Sequence, residues 1–473
     1  MRISGAGADG GLYSMKIIIV GAGKVGYSLC EQLSREDHDI IVIDTDAKLL
    51  EEAQQLLDIM VIQGNGASLE VLKSAGVQDT DVLIACTNAD EINLLCCISA
   101  KKLGCKHTIA RVRNPEYNQQ IAFLREQLGL SLSINPEQTA AQEIYRLIQF
   151  PLFLKRDSFD KGRVELVELK VDEGGKLEGK RIMDVTDILG LHVLVCAVER
   201  GDQVFIPNGR FELKANDRIT VTAARSDLAK LIKSLDIVSK KIRYVVIVGG
   251  SKVAEYLTEE LEKSGVEVTL IEKDEEVCTR FSQRFPKQLV IHGDASRKGF
   301  LESQGVGRAD AVIALTGIDE ENLIISMYVG RLGVEKTVSK IDRTEYATLF
   351  SDTDIGSIVC PKDLVANEIV RYIRAKSNSG EGSVRSLHRI VNGKVEALEF
   401  LAPDSATYFN VPLSKLNVRQ NVLIACISRN YQIIIPRGDD CIKPHDIIIA
   451  VTDAEHPISD LKDIFEKDAV KAE

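Results

Sequence analysis

Near the start of the chain, Gly21-Ala22-Gly23-Lys24-Val25-Gly26 has the spacing of a loop that can hold a diphosphate. It follows an apolar run, Lys16 to Val20, and opens a helical pattern. Gly21 permits the tight turn. Gly23 lets backbone N–H groups approach a pyrophosphate, and Gly26 lets the helix pack close to the strand. The helix N-terminus favours the anion. Eighteen residues past Gly26, Asp44 ends a second apolar run. A carboxylate there accepts hydrogen bonds from both hydroxyls of an adenosine ribose and repels a 2′-phosphate. No Arg follows it, so the pattern favours NAD over NADP. Asn65, Gly66 and Ala67 follow a third apolar run, Thr87 and Asn88 a fourth, and Arg111 a fifth. Ligands of open parallel sheets bind beyond the strand carboxyl ends. These loops are therefore expected to line one cleft, with Arg111 reaching a phosphate.

The same arrangement occurs twice. Met15 to Gly26 resembles Arg243 to Ala254, 228 residues on. At nearly that shift, Ile43 to Asp46 meets Ile271 to Asp274, and Gly66-Ala67-Ser68 meets Asp294-Ala295-Ser296. Ile84 to Thr87 meets Ile313 to Thr316, and Asp90 to Leu94 meets Asp319 to Leu323. In the second loop, Gly249-Gly250-Ser251-Lys252-Val253, Ser251 adds a Cβ where a pyrophosphate would approach. Ala254 replaces the third glycine. Glu272 keeps the acidic ribose contact but is followed by Lys273, and Thr316 and Lys340 replace Thr87 and Arg111. Weaker or different nucleotide binding is expected there, at Glu272, Asp294, Ala295, Thr316 and Lys340.

What positions these residues also repeats. Apolar runs begin near residues 16, 40, 59, 81 and 107, with helical patterns between them such as Lys24 to Arg35 and Asn93 to Leu103. Strand–helix alternation predicts a doubly wound parallel α/β sheet. Gly162 to Leu169 resembles Gly393 to Phe400, and Val193 to Gly209 resembles Val422 to Gly438. These stretches read as small α+β modules, so the order is A–B–A′–B′. Pro136 to Phe150 and Pro361 to Ala375 are each a Pro-initiated helix joining A to B. Lys376 to Ser383 reads as a flexible linker. The expected divisions are a leader or cloning scar (1–14), a first Rossmann domain (15–135), a crossover helix and linker (136–159) and a first C-terminal subdomain (160–238). They continue with a second Rossmann domain (239–360), a second crossover and linker (361–384) and a second C-terminal subdomain (385–467).

Composition narrows the function. The 473 residues carry 59 Lys and Arg against 70 Asp and Glu, a formal charge of −11. Phosphate attraction needs surplus positive charge, so nucleic acid is not an expected partner. No apolar run approaches the roughly 20 residues of a membrane span. The ten cysteines form no CxxC and no metal-ligand spacing with His, and they read as reduced thiols buried among apolar residues in a reducing cytosol. No metal site is expected. A soluble NAD-dependent oxidoreductase would need a cleft acid or base. The seven histidines do not match between the halves, and no GxSxG, HExxH or Walker lysine occurs. A redox-sensing transcription regulator would need a basic DNA-reading segment, which is not seen.

The loop Val20 to Gly26, Asp44, Gly64-Asn-Gly-Ala-Ser68, Thr87-Asn88 before Asp90-Glu91, and Arg111-Val-Arg113 recur in order as Val248 to Val253 and His292 to Ser296. In this the chain resembles the Trk-type potassium-uptake regulators, built of two tandem RCK (KTN) units, from Met15 to about Lys467. That resemblance implies two Rossmann-like domains, each followed by a small RCK C-terminal subdomain. It implies a non-catalytic regulatory subunit, cytosolic and peripheral on the inner face of the membrane. It implies rings of homo-oligomers that gate an integral membrane potassium-transporting subunit of the TrkH, TrkG or KtrB kind. The implied ligands are NAD(H), and ATP or ADP, especially at the second site.

Overall fold

A computed structural model describes residues 14–34, 38–114, 127–149, 155–160, 163–201, 203–235, 242–297, 299–343, 355–377, 384–391, 394–454 and 460–470, with 117, 120, 121, 125, 382 and 458 between them. The leader 1–13 and most of the linker 376–383 lie outside the described residues.

The first half opens with β1 (Lys16–Val20), α1 (Lys24–Ser34), β2 (Asp39–Asp44), α2 (Ala47–Leu56), β3 (Met60–Gln63), α3 (Leu69–Ser74), β4 (Val82–Ala85), α4 (Asp90–Leu103), β5 (His107–Arg111), β6 (Leu132–Ile134) and α5 (Pro136–Gln149). The six strands form one sheet in the order β3-β2-β1-β4-β5-β6, every neighbour parallel. Central strands buried on both faces explain the unbroken Ile and Val runs of β1 and β2. The chain reverses direction across the sheet between β1 and β4, the switch point beyond whose strand ends ligands of open α/β sheets bind.

Next come β7 (Lys155–Phe159), β8 (Val164–Lys170), α6 (Ile182–Leu189), β9 (Leu194–Arg200), β10 (Gln203–Phe205), β11 (Arg218–Ala224) and α7 (Leu228–Ser234). The strands form a five-stranded sheet, β10-β9-β11-β8-β7. Its edge strand β7 belongs to this module, so the module begins before residue 160 rather than with it.

The second half repeats the plan with β12 (Tyr244–Val248), α8 (Lys252–Lys263), β13 (Glu267–Glu272), α9 (Glu275–Arg284), β14 (Leu289–His292), α10 (Phe300–Ser303), β15 (Ala311–Ala314), α11 (Asp319–Arg331), β16 (Lys336–Lys340), β17 (Ser357–Val359) and α12 (Pro361–Ser377). Its sheet order, β14-β13-β12-β15-β16-β17, is that of the first. Helix α12 runs through Ser377, so the first residues expected of the flexible linker are helical. Last come β18 (Val384–Ile390), β19 (Val395–Leu401), β20 (Leu416–Val418), β21 (Val422–Arg429), β22 (Gln432–Ile434), β23 (Ile447–Asp453) and β24 (Phe465–Val470). The five-stranded sheet β18-β19-β23-β21-β22 matches that of the first small module, and β20 pairs with β24, which runs past residue 467.

Two compact units result. One holds both parallel sheets, within 15–156 and 236–368, and the other holds both small modules, within 157–235 and 369–473. In the first unit the halves share a core. Ala140, Ala141, Ile144, Leu147 and Ile148 of α5 are buried with Leu257 and Leu261 of α8 and with β12 and β13 residues Val245, Ile247, Val268 and Leu270. A helix from the first half thus completes the second half's hydrophobic core. In the other unit, Phe159, Leu166 and Cys196 are buried in one cluster with Ala397, Cys426 and Val451.

Candidate functional site

The glycine loop bridges β1 and α1. Gly21 lies at φ +107°, which L side chains rarely adopt, and a Cβ there would stand 3.0 Å from the Cys86 carbonyl carbon and the Thr87 nitrogen. The Gly21 N–H donates to the Ile43 carbonyl at 2.8 Å. Over Gly23 the space is open, with nothing within 4 Å of the place a Cβ would take. Lys24, Val25 and Gly26 form the first turn of α1; Val25 and Gly26 are buried and Lys24 is exposed.

Asp44 does more than the sequence suggests. One carboxylate oxygen accepts the Ala22 N–H at 2.6 Å, and the other accepts the Asp46 N–H at 2.9 Å. The acidic residue therefore holds the loop in shape, and one lone pair on each oxygen remains for a ribose hydroxyl. The second half repeats this, with Gly250 N–H to Glu272 Oε2 at 2.6 Å and Asp274 N–H to Oε1 at 2.9 Å. Gly249 lies at φ +99°. Ser251, in place of Gly23, is the N-cap of α8, its hydroxyl accepting the Ala254 N–H at 3.4 Å. Lys252 and Val253 follow as the first helical residues.

The loops after the third strands correct the repeat register. Asn65 Oδ1 accepts the Ala67 N–H at 2.9 Å, and Asp294 Oδ1 accepts the Ser296 N–H at 3.0 Å. Asn65-Gly66-Ala67 is therefore the partner of Asp294-Ala295-Ser296, and the shift has grown to 229 residues. The extra residue lies between α9 and β14, after helices still related by 228. Hydrogen bonds from Ser296 hold the Asp294 carboxyl below its ordinary range.

The fourth and fifth strand ends are tied by residues the functional reading of the sequence passed over. Asn93, fully buried in α4, accepts from the Thr87 N–H at 2.8 Å and hydroxyl at 2.7 Å. Its amide donates to the carbonyl oxygens of Arg111 at 2.9 Å and Thr87 at 3.2 Å. Asn322 does the same for Thr316 and Lys340. Asp90 accepts the N–H groups of Arg113 and Asn114, both at 2.8 Å, and Asp319 those of Asp342 and Arg343. The signal was present, because Asp90, Asn93, Asp319 and Asn322 all fall in the repeated segments. The Asn88 carbonyl accepts from the Arg113 guanidinium.

Arg111 lies 3.4 Å from Glu137 Oε1, and its Nε is buried with no hydrogen-bond partner among the described residues. Lys340 lies 3.6 Å from Asp342 Oδ2, and Lys24 donates to the same oxygen at 2.7 Å. Within each half the structure thus brings the glycine loop, the acidic strand end and the Thr-bearing loop to one edge of the sheet. Burial pushes the Cys86 thiol, beneath the first loop, up to about 12. Among the described residues no group of three or more His, Cys, Asp or Glu could hold a metal ion, and no helix is long and apolar enough to cross a membrane.

The comparisons with known proteins agree with this architecture. The TrkA-N domain family matches residues 17–136 and 245–361, and the TrkA-C domain family matches residues 166–236. The Trk system potassium uptake protein TrkA of Halomonas elongata is 33% identical over 458 residues, covering 96% of this chain and 99% of its own length. A TrkA homolog of Archaeoglobus fulgidus is 32% identical over 95% of this chain and all of its own. Among solved structures, the GsuK RCK domain superposes with a TM-score of 0.60 at 17% identity, covering 93% of both chains. The GsuK channel bound to NAD gives 0.59 at 17% identity, over 95% of this chain and 79% of that one.

Proposed function

Because the chain belongs to the TrkA family, we propose that it is a nucleotide-sensing regulatory subunit of a potassium-uptake system. The first glycine loop binds NAD(H), and the second binds ATP or ADP. Nucleotide occupancy changes the opening of an integral membrane potassium-transporting subunit of the TrkH, TrkG or KtrB kind, from the cytoplasmic face. The chain works as a homo-oligomeric ring of RCK units and is not an enzyme.

One observation carries the reading: each glycine loop is braced by its own acidic strand end, Ala22 on Asp44 and Gly250 on Glu272, both at 2.6 Å. Two loops braced alike at the strand carboxyl ends of two like sheets suit a ligand with a diphosphate and an adenosine ribose. The open space over Gly23 leaves room for the diphosphate at the first loop. At the second, the Ser251 side chain occupies the corresponding place, which favours a ligand placed differently from NAD. Arg111, with its unpaired buried Nε, would meet a phosphate of the first ligand. Asn65, Gly66, Ala67, Thr87 and Asn88 would line the first site, and Asp294, Ala295, Thr316 and Lys340 the second. A bound nucleotide acts here as a ligand and undergoes no reaction.

Gating then amounts to a coupling free energy, of about 1–3 kcal/mol in known systems. A nucleotide shifts the pore only if it binds one ring geometry better than the other. The test is calorimetric titration of wild type and Asp44→Ala with NADH, NAD+, ATP and ADP. It is followed by flux measurements with the potassium-transporting subunit in vesicles. Loss of NADH binding in Asp44→Ala, together with nucleotide-dependent flux, supports the reading. Undiminished NADH binding in the variant overturns the first-site assignment.

A further inference from the structure

Asp342 lies two residues past Lys340, just beyond β16. Its backbone N–H donates to Asp319 Oδ2 at 3.0 Å, which fixes its position against the start of α11. Its side chain is 20% exposed, and its Oδ2 accepts from Lys24 Nζ at 2.7 Å while standing 3.6 Å from Lys340 Nζ. Lys24 opens the helix behind the first glycine loop. Lys340 takes, in the second half, the place that Arg111 takes in the first. One carboxylate therefore serves a lysine of each proposed phosphate site. Burial alone would push its carboxyl up, but the hydrogen bonds and charges of Lys24 and Lys340 hold it below its ordinary range.

The molecule carries its own control. The residue matching Asp342 in the first half is Arg113, and the residue matching Lys24 in the second is Lys252. Two cations cannot form the equivalent bridge. Arg113 turns instead to the Asn88 carbonyl and to Asp90, 3.5 Å away. The link between sites therefore runs through one residue on one side of the repeat.

We propose that Asp342 makes the two nucleotide sites antagonistic, by pairing with whichever of Lys24 and Lys340 is not held by a phosphate. This rests on the reading of both loops as phosphate sites. An anion that draws Lys24 away in the first site leaves the carboxylate wholly to Lys340, which then serves the second site less well. The converse holds by linkage, so each ligand weakens the other by the same factor. Lys24 is 72% exposed and the pair is partly screened, so a factor of about three to five is expected.

The experiment titrates NADH calorimetrically into the full chain, with and without saturating ADP, in wild type, Asp342→Asn and Asp44→Ala. Wild type should bind NADH about three- to fivefold more weakly when ADP is present. Asp342→Asn should bind both nucleotides with the shift gone. A wild-type NADH affinity that ADP leaves unchanged overturns the proposal. So does a shift that survives Asp342→Asn, which would mark plain competition for one site. Should Asp342→Asn fold poorly by thermal melting, Lys24→Met, which breaks the same bridge from the other side, should also abolish the shift; a shift that persists in it overturns the proposal. The Asp44→Ala arm separates the two levels. If it still binds NADH, the first-site assignment has failed; if it loses NADH while the wild type shows no ADP effect, only the coupling has.

Discussion

Gly26 sits so close to Gly21 that a Cβ on Gly26 would stand 1.9 Å from the Gly21 carbonyl oxygen. That oxygen belongs to the backbone of the first glycine loop, so the loop itself must move to admit a methyl group. In the second half Ala254 occupies the matching place, and its loop accommodates the methyl. Gly26→Ala should therefore open the first loop only. Overpacking of this kind costs about 1–3 kcal/mol, and NADH affinity should fall about tenfold or more with the second site unchanged. Calorimetry with NADH and ADP checks this. Unaltered NADH binding would mean the loop is not where the diphosphate sits.

Asn93 spans the ends of the fourth and fifth strands. Its amide, itself fully buried, joins the Thr87 loop to the Arg111 carbonyl through four hydrogen bonds. Asn93→Ala strands the Thr87 N–H and the Arg111 carbonyl, at about 1–3 kcal/mol for each buried group left unsatisfied. A clear fall in thermal midpoint is expected, with Asn322→Ala giving a similar fall. Melts of the two variants test the equivalence, and a midpoint matching wild type in either would refute the bracing role.

Much of this was legible in advance. The apolar runs at 16, 40, 59, 81 and 107 became five strands; those at 16, 40 and 81 are central, buried on both faces and in need of continuous apolar residues. The sixth strands, Leu132–Ile134 and Ser357–Val359, were not seen: three residues with mixed polarity leave no periodicity to read. The change from 228 to 229 shows in the pairing of Ile84 with Ile313, but its place before the third strand was hidden because the Ala-Ser pair of Ala67-Ser68 recurs in Ala295-Ser296. Asn93 was visible as a repeated letter but not as a brace, since its partners lie 6 and 18 residues away. The Asp44–Ala22 bond was hidden in the same way, because the fingerprint assigns the carboxylate to a ribose and says nothing of its second duty.

Lys336 is buried at the start of β16, and its ammonium donates to the Ser357 hydroxyl at 2.9 Å. Burial lowers its pKa to about 7 from an ordinary 10.5. Between those values the unfolded chain binds a proton that the folded chain gives up, so stability rises with pH across that window and levels off on either side. The contribution has a ceiling of about 5 kcal/mol. Lys336→Met should remove the slope and raise the melting temperature most near pH 7. Thermal unfolding of both proteins from pH 7 to 10 decides it, and parallel curves would mean the lysine stays charged in the fold.

The thiols sort by access. Eight of the ten cysteines are buried, while Cys360 and Cys441 are partly exposed. Burial raises the Cys360 thiol well above its ordinary range. Thiolate is the reactive form, so iodoacetamide at pH 8 should modify Cys441 first. Cys30 and Cys86, pushed up to about 12 by burial, should react only on unfolding. Peptide mass spectrometry over a time course reads this directly, and early labelling at Cys86 would contradict the packing beneath the first loop.

Helix α5 carries the strongest claim about how the halves depend on each other. Its apolar positions, Ala140, Ala141, Ile144, Leu147 and Ile148, recur at the spacing of one helix face, which tells that something covers the face but not what. The cover is the second half: α5 is buried against α8 and the strands behind it. Polar bonds hold the same seam, with the Asn135 amide donating to the Tyr256 hydroxyl at 3.0 Å and that hydroxyl donating to the Arg113 carbonyl at 3.1 Å. Ile144→Ala removes buried methyl groups from that shared core, at about 2–5 kcal/mol. Although residue 144 precedes the second domain, the damage should appear there. Backbone amides of Tyr244–Val248 should lose hydrogen-exchange protection more than those of Lys16–Val20. Equal losses in the two strands would mean the sheets unfold as one body, and greater loss in the first would place the helix on the wrong core. The expected asymmetry would make α5 a mechanical link, since strain entering at Arg111 or Glu137 beside the first site would then be felt first in the second.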